Sequence, residues 1–346
     1  MSFTQKLLLW YGENKRSFLW RESQDPYKVW LSEIILQQTR TEQGLPYFKR
    51  FVETYPTIQA LASASEDEVL KLWQGLGYYS RARNLHSTAQ FVHNELDGIF
   101  PNTFESLLQL KGVGDYTASA IASICFGIPQ AVVDGNVYRF LSRYFGILTP
   151  INTSSAHKEF KTKASELMGN SHPGTFNQAL MEFGSLQCTP KSPDCLQCPF
   201  TQNCIAFNQN KVDELPVKTS KIKIKKRFFN YLVVSDFHGN YLFEKRTDKG
   251  IWYNLYQFPL LESSKTFKTE EALFAHPDFP RELNSANLKV QRWNKEPISH
   301  KLSHQSLTVN FWQIECNKEL PEALTVNSIK KLAVPVVIQN FMEKFF

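Results

Sequence analysis

Apolar residues recur at spacings of three and four along much of the first 210 residues, which is the period of an amphipathic helix. The pattern predicts helices within 28–38, 66–73, 104–110, 116–126 and 136–146. Glycine and proline separate these segments, for example at Gly75, Pro101 and Gly127. We therefore expect the N-terminal part of the chain to be mainly α-helical.

The pattern changes after residue 227. A β-prone apolar run over 228–234 predicts a strand, and a turn at 238–240 separates it from a second predicted strand at 241–243. Apolar and polar residues alternate over 307–315, as in a half-buried strand, and 335–345 predicts a closing helix. We expect a smaller α+β domain here.

The length of the chain and the change in pattern after residue 227 together predict two domains, since 346 residues exceed one typical domain. The expected limits are a helical domain over 1–210, a basic linker over 211–227 and an α+β domain over 228–346. No run of 18 apolar residues exists and the N-terminus lacks the features of a secretory signal. We therefore expect a cytoplasmic protein without a membrane partner, whose cysteines stay reduced.

Charge is unevenly distributed. The net charge of +6 divides into −1 for residues 1–216 and +7 for residues 217–346. Several of the excess cations fall in one short segment: Lys218, Lys221, Lys223, Lys225, Lys226 and Arg227. These residues fit DNA phosphates and a solvated linker equally well, so net charge alone does not predict a nucleic-acid partner.

Four of the six cysteines lie within 17 residues of one another, with the spacing C-x6-C-x2-C-x5-C. They are Cys188, Cys195, Cys198 and Cys204. Four thiolates suit a tetrahedral zinc or an iron–sulfur cluster, and the uneven spacing favours a [4Fe–4S] cluster because zinc sites usually show two close pairs. With all four positions filled by protein, we expect the metal to be structural.

A glycine turn separates two of the predicted helices. Gly112, Val113 and Gly114 allow a tight turn whose backbone amides point outward at the start of the next helix. Free amides at a helix N-terminus form an anion site that a DNA phosphate could fill. The same residues also fit a simple helix-breaking turn.

Taken in order, a helix–hairpin–helix at about 105–126, the segment 132–137 and the cysteine loop 188–204 resemble the endonuclease III superfamily of DNA glycosylases. The resemblance covers about residues 5–205 and implies the superfamily's helical fold and its [4Fe–4S] cluster. Bifunctional members have a nucleophilic lysine where this chain has Tyr116. A phenol cannot form a Schiff base, so we expect a monofunctional enzyme that uses water.

The segment 30–39 resembles the signature of adenine glycosylases that act on adenine opposite guanine or 8-oxoguanine, as do Trp20-Arg21, 75–79 and 177–182. The resemblance implies that Glu33 protonates the adenine. Without it, Glu33 would fit an ordinary surface glutamate, although burial in its apolar helix would raise its pKa.

Asp134 precedes Gly135 at a predicted helix start, where a simple N-cap is the ordinary role. The resemblance implies that it also stabilises the oxocarbenium-like sugar, with Tyr116 and Asn136 in support. Both roles are compatible in one carboxylate.

A base within a duplex is out of reach of these groups, so the reaction requires base flipping. The resemblance assigns further contacts with the substrate, against an alternative of packing and surface ion pairs. They are Trp20, Arg21 and Glu182 for the adenine pocket, and Gln38, Thr39, Leu76 and Tyr78 for intercalation and the opposite base.

The C-terminal part resembles a Nudix fold without the acidic catalytic run that binds magnesium, so we expect no pyrophosphatase activity there. Adenine glycosylases use such a domain to sense 8-oxoguanine. The segment 300–304 resembles their recognition loop and implies contacts from Ser303 and His304, but Leu302 stands where phenylalanine is usual. A polar surface turn is the simpler alternative.

The resemblance thus implies a monomeric, nucleoid-associated adenine DNA glycosylase of base-excision repair that acts on double-stranded DNA with A:8-oxoguanine or A:G mispairs. Two alternatives remain open: a thymine-mismatch glycosylase with the same catalytic core, and a non-enzymatic iron–sulfur DNA-binding module.

Overall fold

A computed structural model describes residues 1–219, 224–280, 283 and 288–346. Two compact units share the chain: Met1–Ala64 with Arg83–Ser220, and Ser65–Ala82 with Lys221–Phe346. Lys221 and Lys223 of the predicted basic segment lie outside the described residues. No described helix is both long and apolar enough to cross a bilayer.

The first unit is helical. Its helices are α1 Phe3–Asn14, α2 Pro26–Leu36, α3 Thr41–Thr54, α4 Ile58–Ser63, most of α6 Ser80–Glu95, α7 Phe104–Leu107, α8 Asp115–Phe126, α9 Gly135–Phe145, α10 Ser154–Met168, α11 Pro173–Leu186 and α12 Ile205–Asn208. Each predicted helical segment that falls in this unit overlaps one of them. Seven of the helices described in this unit fall outside the predicted segments: α1, α3, α4, α6, α10, α11 and α12.

Several helices of this unit begin with side-chain caps, among them α2 and α9. The carboxylate of Asp25 accepts the Tyr27 amide at 2.9 Å, and Pro26 occupies the first turn of α2, where its missing N–H costs nothing. Helix α9 begins at Asp134 and ends at Gly146, whose φ of 66° suits a glycine. The core between α1, α9, α10 and α11 is rich in aromatic rings, including Phe140, Phe160 and Phe183.

The second unit contains the sheet. Its elements are α5 Glu66–Trp73, β1 Lys225–Ser235, β2 Glu244–Lys245, β3 Tyr256–Gln257, β4 Leu260–Ser263, α13 Glu271–Phe274, β5 Leu288–Arg292, β6 Ile298–Lys301, β7 Gln305–Cys316, α14 Val326–Lys331 and α15 Val336–Phe345. Strand β1 lies between β4 and β7 and is parallel to β7, while β5 and β6 are both antiparallel to β7. Phe341 of α15 stacks on Phe311 of β7 with ring centroids 4.0 Å apart.

Two strand predictions need correction. The strand expected at 241–243 is absent: Tyr241 makes two isolated bridges, with Ser235 and Leu324, and β2 begins at Glu244. The carboxylate of Asp236 accepts the amides of His238 and Asn240 in the preceding turn, and the Tyr241 amide donates to the distant Leu324 carbonyl at 2.9 Å. In addition, β1 begins at Lys225, so the last three residues of the expected linker are strand.

Helix α5 belongs to the second unit, which its position in the sequence did not predict. The Lys71 ammonium donates to the carbonyls of Lys330 and Leu332 at 2.8 and 2.9 Å, at the C-terminal end of α14. Asp67 pairs with Lys245 at 2.6 Å. These contacts tie residues near 70 to residues near 330.

Candidate active site

Glu33 is a half-buried carboxylate in an otherwise apolar helix, α2. Burial raises its pKa to about 7, and the nearby negative charge of Asp134 adds to that shift. A hydrogen bond from the Tyr116 phenol and the positive charge of Arg21 act in the opposite direction. Glu33 can therefore both hold and release a proton near neutral pH.

Tyr116 comes from the first turn of α8 and contacts Glu33 through its phenol. Burial, followed by the charges of Glu33 and Asp134, raises its pKa well above the usual value. The phenol thus stays neutral and acts as a hydrogen-bond donor. No amine stands at this position.

Asp134 caps α9, and its two oxygens are engaged differently. Oδ1 accepts the backbone amides of Asn136 and Val137 at 2.9 and 2.8 Å, and Oδ2 accepts the side-chain amide of Asn136 at 2.7 Å. Burial raises the pKa of Asp134, and these donors oppose the shift because they stabilise the anion. The carboxylate is held in one orientation at the positive end of a helix.

Asn136 is itself fixed from behind. Its side-chain oxygen accepts from Arg139 at 2.9 Å, and Arg139 also donates to the carbonyls of Cys188, at 2.7 Å, and Gly184. Gly184 lies so close that a Cβ there would come within 2.5 Å of the Asn136 carbonyl oxygen. The close approach of α11 to the start of α9 therefore requires glycine at this position.

Glu182 is a third carboxylate, and its pKa is lowered where that of Glu33 is raised. Burial alone would raise its pKa, but hydrogen bonds from Arg16 and Arg21 outweigh burial and lower the pKa to about 2. Arg16 donates through Nε at 2.8 Å and Nη2 at 3.0 Å, and Arg21 through Nη2 at 2.8 Å. Sequence analysis identified Arg21 and Glu182 but missed Arg16, whose position carries no local signal.

These groups line one cavity, here called the carboxylate cavity, with about 880 Å³ of empty space up to its open mouth. The predicted site residues on its wall are Trp20, Arg21, Glu33, Thr39, Tyr116, Asp134, Asn136 and Glu182. Residues that were not predicted also line it: Arg16, Phe18, Val29, Ser32, Leu36, Thr41, Ile124, Gln178, Met181 and Ser185.

The other predicted substrate residues lie outside this wall. Gln38 is exposed just after α2 with a φ of 57°. Leu76 and Tyr78 belong to the second unit, and the Tyr78 phenol hydrogen-bonds the Ser303 hydroxyl. His304 is exposed beside Ser303.

The glycine turn precedes α8 as expected, with Gly114 at its N-cap. Gly112 has a φ of 81°, and a Cβ there would lie 2.9 Å from the Asn84 side chain. Both facts favour glycine. The first residue of the helix, Asp115, pairs with Lys161 at 2.6 Å.

The four clustered cysteines line a second, mostly apolar cavity of about 380 Å³, here called the thiol cavity. All four are free thiols. Arg143 of α9 approaches the Cys188 sulfur at 3.5 Å and donates to the Thr189 carbonyl at 2.7 Å, which holds the start of the loop. Among the residues the structure describes, no three Cys, His, Asp or Glu side chains are close enough to hold a single metal ion.

Two known protein families match this chain, one in each of its two parts. Residues 31–167 match the family described as HhH-GPD superfamily base excision DNA repair protein. Residues 230–344 match the NUDIX domain. The predicted fold, a helical glycosylase part with a Nudix-like C-terminal domain, is thereby confirmed.

An adenine DNA glycosylase of Buchnera aphidicola subsp. Schizaphis graminum is 36% identical over 99% of this chain and 98% of its own length. The chain belongs to the adenine DNA glycosylases. The human adenine DNA glycosylase is 43% identical over 62% of this chain and 41% of its own length. Membership makes this adenine DNA glycosylase an enzyme of base excision repair that binds DNA, which removes the non-enzymatic alternative.

Solved structures agree on the fold of the helical part. A thermostable thymine-DNA glycosylase is 29% identical, covers 60% of this chain and 95% of its own, and superposes with a TM-score of 0.56. A non-covalent endonuclease III–DNA complex gives 0.53 at 20% identity over 60% of this chain and 94% of its own, which shows the shared fold alone. The thymine enzyme matches a smaller share of this chain than the Buchnera relative does.

Proposed function

We propose that this adenine DNA glycosylase hydrolyses the N-glycosidic bond of adenine paired with 8-oxoguanine or guanine, without cutting the DNA strand. The observation that carries the proposal is the carboxylate cavity. It brings together a carboxyl that titrates near pH 7, Glu33, and a carboxylate held by three hydrogen bonds, Asp134.

The first step makes adenine a leaving group. Protonated Glu33 donates its proton to a nitrogen of the imidazole ring of the base, which withdraws electrons from the glycosidic bond. A general acid is most effective when its pKa lies near the working pH, and that of Glu33 is about 7. Tyr116 donates to the carboxylate that remains.

The second step stabilises the sugar cation. Ionised Asp134 faces the anomeric carbon, and a carboxylate about 4 Å from a positive charge at an effective dielectric of about 20 contributes roughly 4 kcal/mol. Asn136 and Arg139 keep its oxygens in place. Water then completes the hydrolysis, since no lysine is present to form a Schiff base.

Glu182 and its two arginines form the other side of the base pocket. Glu182 stays ionised at neutral pH, so it can recognise the edge of adenine without changing protonation. Trp20 supplies an apolar wall. Glu33 and Glu182 thereby divide the work into chemistry and recognition.

The base must leave the helix before it can enter this cavity. We propose that Gln38, Thr39 and Leu76 occupy the gap, that Tyr78, Ser303 and His304 contact the opposite base, and that the amides of Gly112, Val113 and Gly114 bind a phosphate. The enzyme acts as a monomer on double-stranded DNA in this proposal.

We also propose that the thiol cavity binds a [4Fe–4S] cluster through Cys188, Cys195, Cys198 and Cys204. The four thiols line one cavity, and their uneven spacing in the sequence suits a cluster of several irons better than one tetrahedral zinc. Such a cluster would tie the loop together. Iron and sulfide analysis of the purified protein tests this assignment against zinc.

One assay tests the activity. The full chain is incubated with duplexes that contain A opposite 8-oxoguanine, A opposite G, T opposite G, or thymine glycol, with Asp134→Asn as the control for contaminating enzymes. We expect free adenine and an uncut abasic strand from the first two duplexes only. Thymine release, or a strand trapped by borohydride, would replace the proposal by one of the rival activities.

A further inference from the structure

Three strands bring two distant lysines to one row of the sheet. Lys226 at the start of β1 and Lys301 at the end of β6 are both register partners of Ser306 in β7. Paired residues on neighbouring strands point to the same face of a sheet. Both lysines therefore project from one face, on either side of Ser306.

The spacing suits a charged polymer. Two strands separated by a third lie roughly 10 Å apart, and lysine side chains are long and flexible enough to adjust that distance. Both lysines are exposed, and Ser306 between them is half-buried. A hydroxyl between two ammonium groups adds a hydrogen-bond donor for an anion.

Nearby acidic groups do not neutralise the pair. Glu262, a carboxylate on β4 of the same sheet, is held by Arg227 through two hydrogen bonds, one of them 2.6 Å long. Among the described residues, neither Lys226 nor Lys301 takes part in an ion pair. The two ammonium charges remain available to an external anion.

The row lies directly beside the loop proposed to read the opposite base. The Lys225 amide donates to the His304 carbonyl at 3.0 Å, and the Leu302 amide donates to the Gln305 carbonyl at 2.8 Å. These backbone bonds fix Ser303 and His304 at the tip of the β6–β7 connection. The lysine row is one residue pair away from that tip.

We infer that Lys226 and Lys301 bind backbone phosphates of the DNA strand that carries the base opposite adenine. The inference rests on the proposed role of Ser303 and His304. Phosphate contacts fix the register of a protein on DNA without reading sequence. Here they would hold the damaged strand while the loop contacts its base.

The first test measures salt dependence. The full-length double variant Lys226→Gln/Lys301→Gln is compared with wild type for binding to an undamaged duplex at several salt concentrations. Each lost phosphate contact lowers the slope of log affinity against log salt by about 0.9, so we expect a decrease of about 1.8 for the pair. The matched control, Lys344→Gln on α15, should keep the wild-type slope.

Two results of this test would overturn the inference. One is a double variant whose slope equals that of wild type or of the Lys344 control. The other is a decrease in slope that is caused by Lys225→Gln instead of the double variant, because Lys225 projects from the opposite face of the sheet to Lys226. Since the duplex contains no lesion, both results are independent of adenine release.

The second test locates the strand. Neutral methylphosphonates replace the phosphates on both sides of 8-oxoguanine, and in a second duplex those on both sides of adenine. Wild type should lose affinity with the first replacement, and the double variant should be insensitive to it. If the double variant instead becomes insensitive only to the methylphosphonates beside adenine, the two lysines contact the adenine strand and the strand assignment is wrong. This result does not depend on whether adenine release is intact.

Discussion

The carboxylate cavity and the thiol cavity both contact helix α9, yet their linings have opposite chemistry. Asp134 and Asn136 at the start of α9 face charged and hydrogen-bonding groups. Phe140 and Arg143, further along, face four thiols and apolar rings. The first cavity contains Glu33, a carboxyl whose pKa lies near neutral pH, whereas the second gathers four thiols that we propose as ligands of a metal cluster.

Helix α9 contributes residues to both cavities and connects them through hydrogen bonds. Arg139 donates to Asn136 in one direction and to the Cys188 carbonyl in the other, so the start of α9 is held by the cysteine loop. The cysteine loop on one side of α9 thus helps to hold Asn136, and through it Asp134, on the other side. Disturbing each cavity separately should reveal which contributes stability and which contributes chemistry.

The largest effect is expected in the thiol cavity. Cys198→Ser should reduce bound iron and destabilise the protein by more than about 4 kcal/mol, because loss of a metal site is among the most destabilising changes. Iron analysis and thermal unfolding measure both effects, with Cys125→Ser, outside the cavity, as control. A Cys198→Ser variant with full iron content and unchanged stability would show that this thiol neither binds iron nor stabilises the fold.

In the carboxylate cavity, Asp134→Asn should affect chemistry more than folding. Loss of roughly 4 kcal/mol of charge stabilisation corresponds to about a thousandfold slower adenine release. Single-turnover assays with A:8-oxoguanine duplex measure the rate, and Asp97→Asn, the same change at an exposed site, serves as control. A variant within a few-fold of wild type would contradict the role of Asp134.

Glu33→Gln should slow adenine release and yet stabilise the protein at high pH. The pKa of Glu33 in the folded state, about 7, exceeds that of an ordinary glutamate, so wild-type stability falls as pH rises from about 4.5 through 7. At pH 8 the variant avoids this loss, about 3 kcal/mol before solvent screening at about 1.36 kcal/mol per pKa unit.

Urea unfolding at pH 5 and pH 8 measures the effect, with Glu95→Gln, an exposed carboxylate on α6, as control. The difference between variant and wild type should grow with pH. Equal stabilities of Glu33→Gln and wild type at both pH values would show that burial does not shift the titration of Glu33.

Gly184→Ala tests the junction between the two cavities. The added methyl group would lie 2.5 Å from the Asn136 carbonyl oxygen, so the backbone must move, at a cost of about 2 kcal/mol. Gly12→Ala in α1, with open space around its Cβ, should instead be neutral or slightly stabilising. Melting temperatures that change equally in both variants would rule out a tight contact here.

The smallest effect is expected in the second unit. Ser303→Ala removes the partner of the Tyr78 phenol and a hydroxyl proposed to contact the opposite base, worth about 1 kcal/mol. The ratio of excision rates for A:8-oxoguanine and A:G should fall about fivefold, while Ser299→Ala in β6 leaves it unchanged. Parallel losses with both duplexes would indicate a structural role for Ser303.

Local sequence determined the elements with strong periodicity and strong end signals. The predicted segments at 66–73 and 116–126 coincide closely with α5 and α8, because an apolar stripe and a polar or glycine boundary act within a few residues. The short cysteine spacing likewise predicted that four thiols would share one cavity. Family motifs supplied the candidate residues, and the relatives confirmed the family.

Only the tertiary structure decided how distant residues act together. Arg16 lies 166 positions from Glu182, and their pairing changes a buried carboxyl into a permanent anion. The same packing raises the pKa of Glu33, since desolvation and neighbouring charge depend on which helices meet. Helix α5 contacts residues near 330, and Lys226 lies in one row of the sheet with Lys301. No local pattern in the sequence encodes either arrangement.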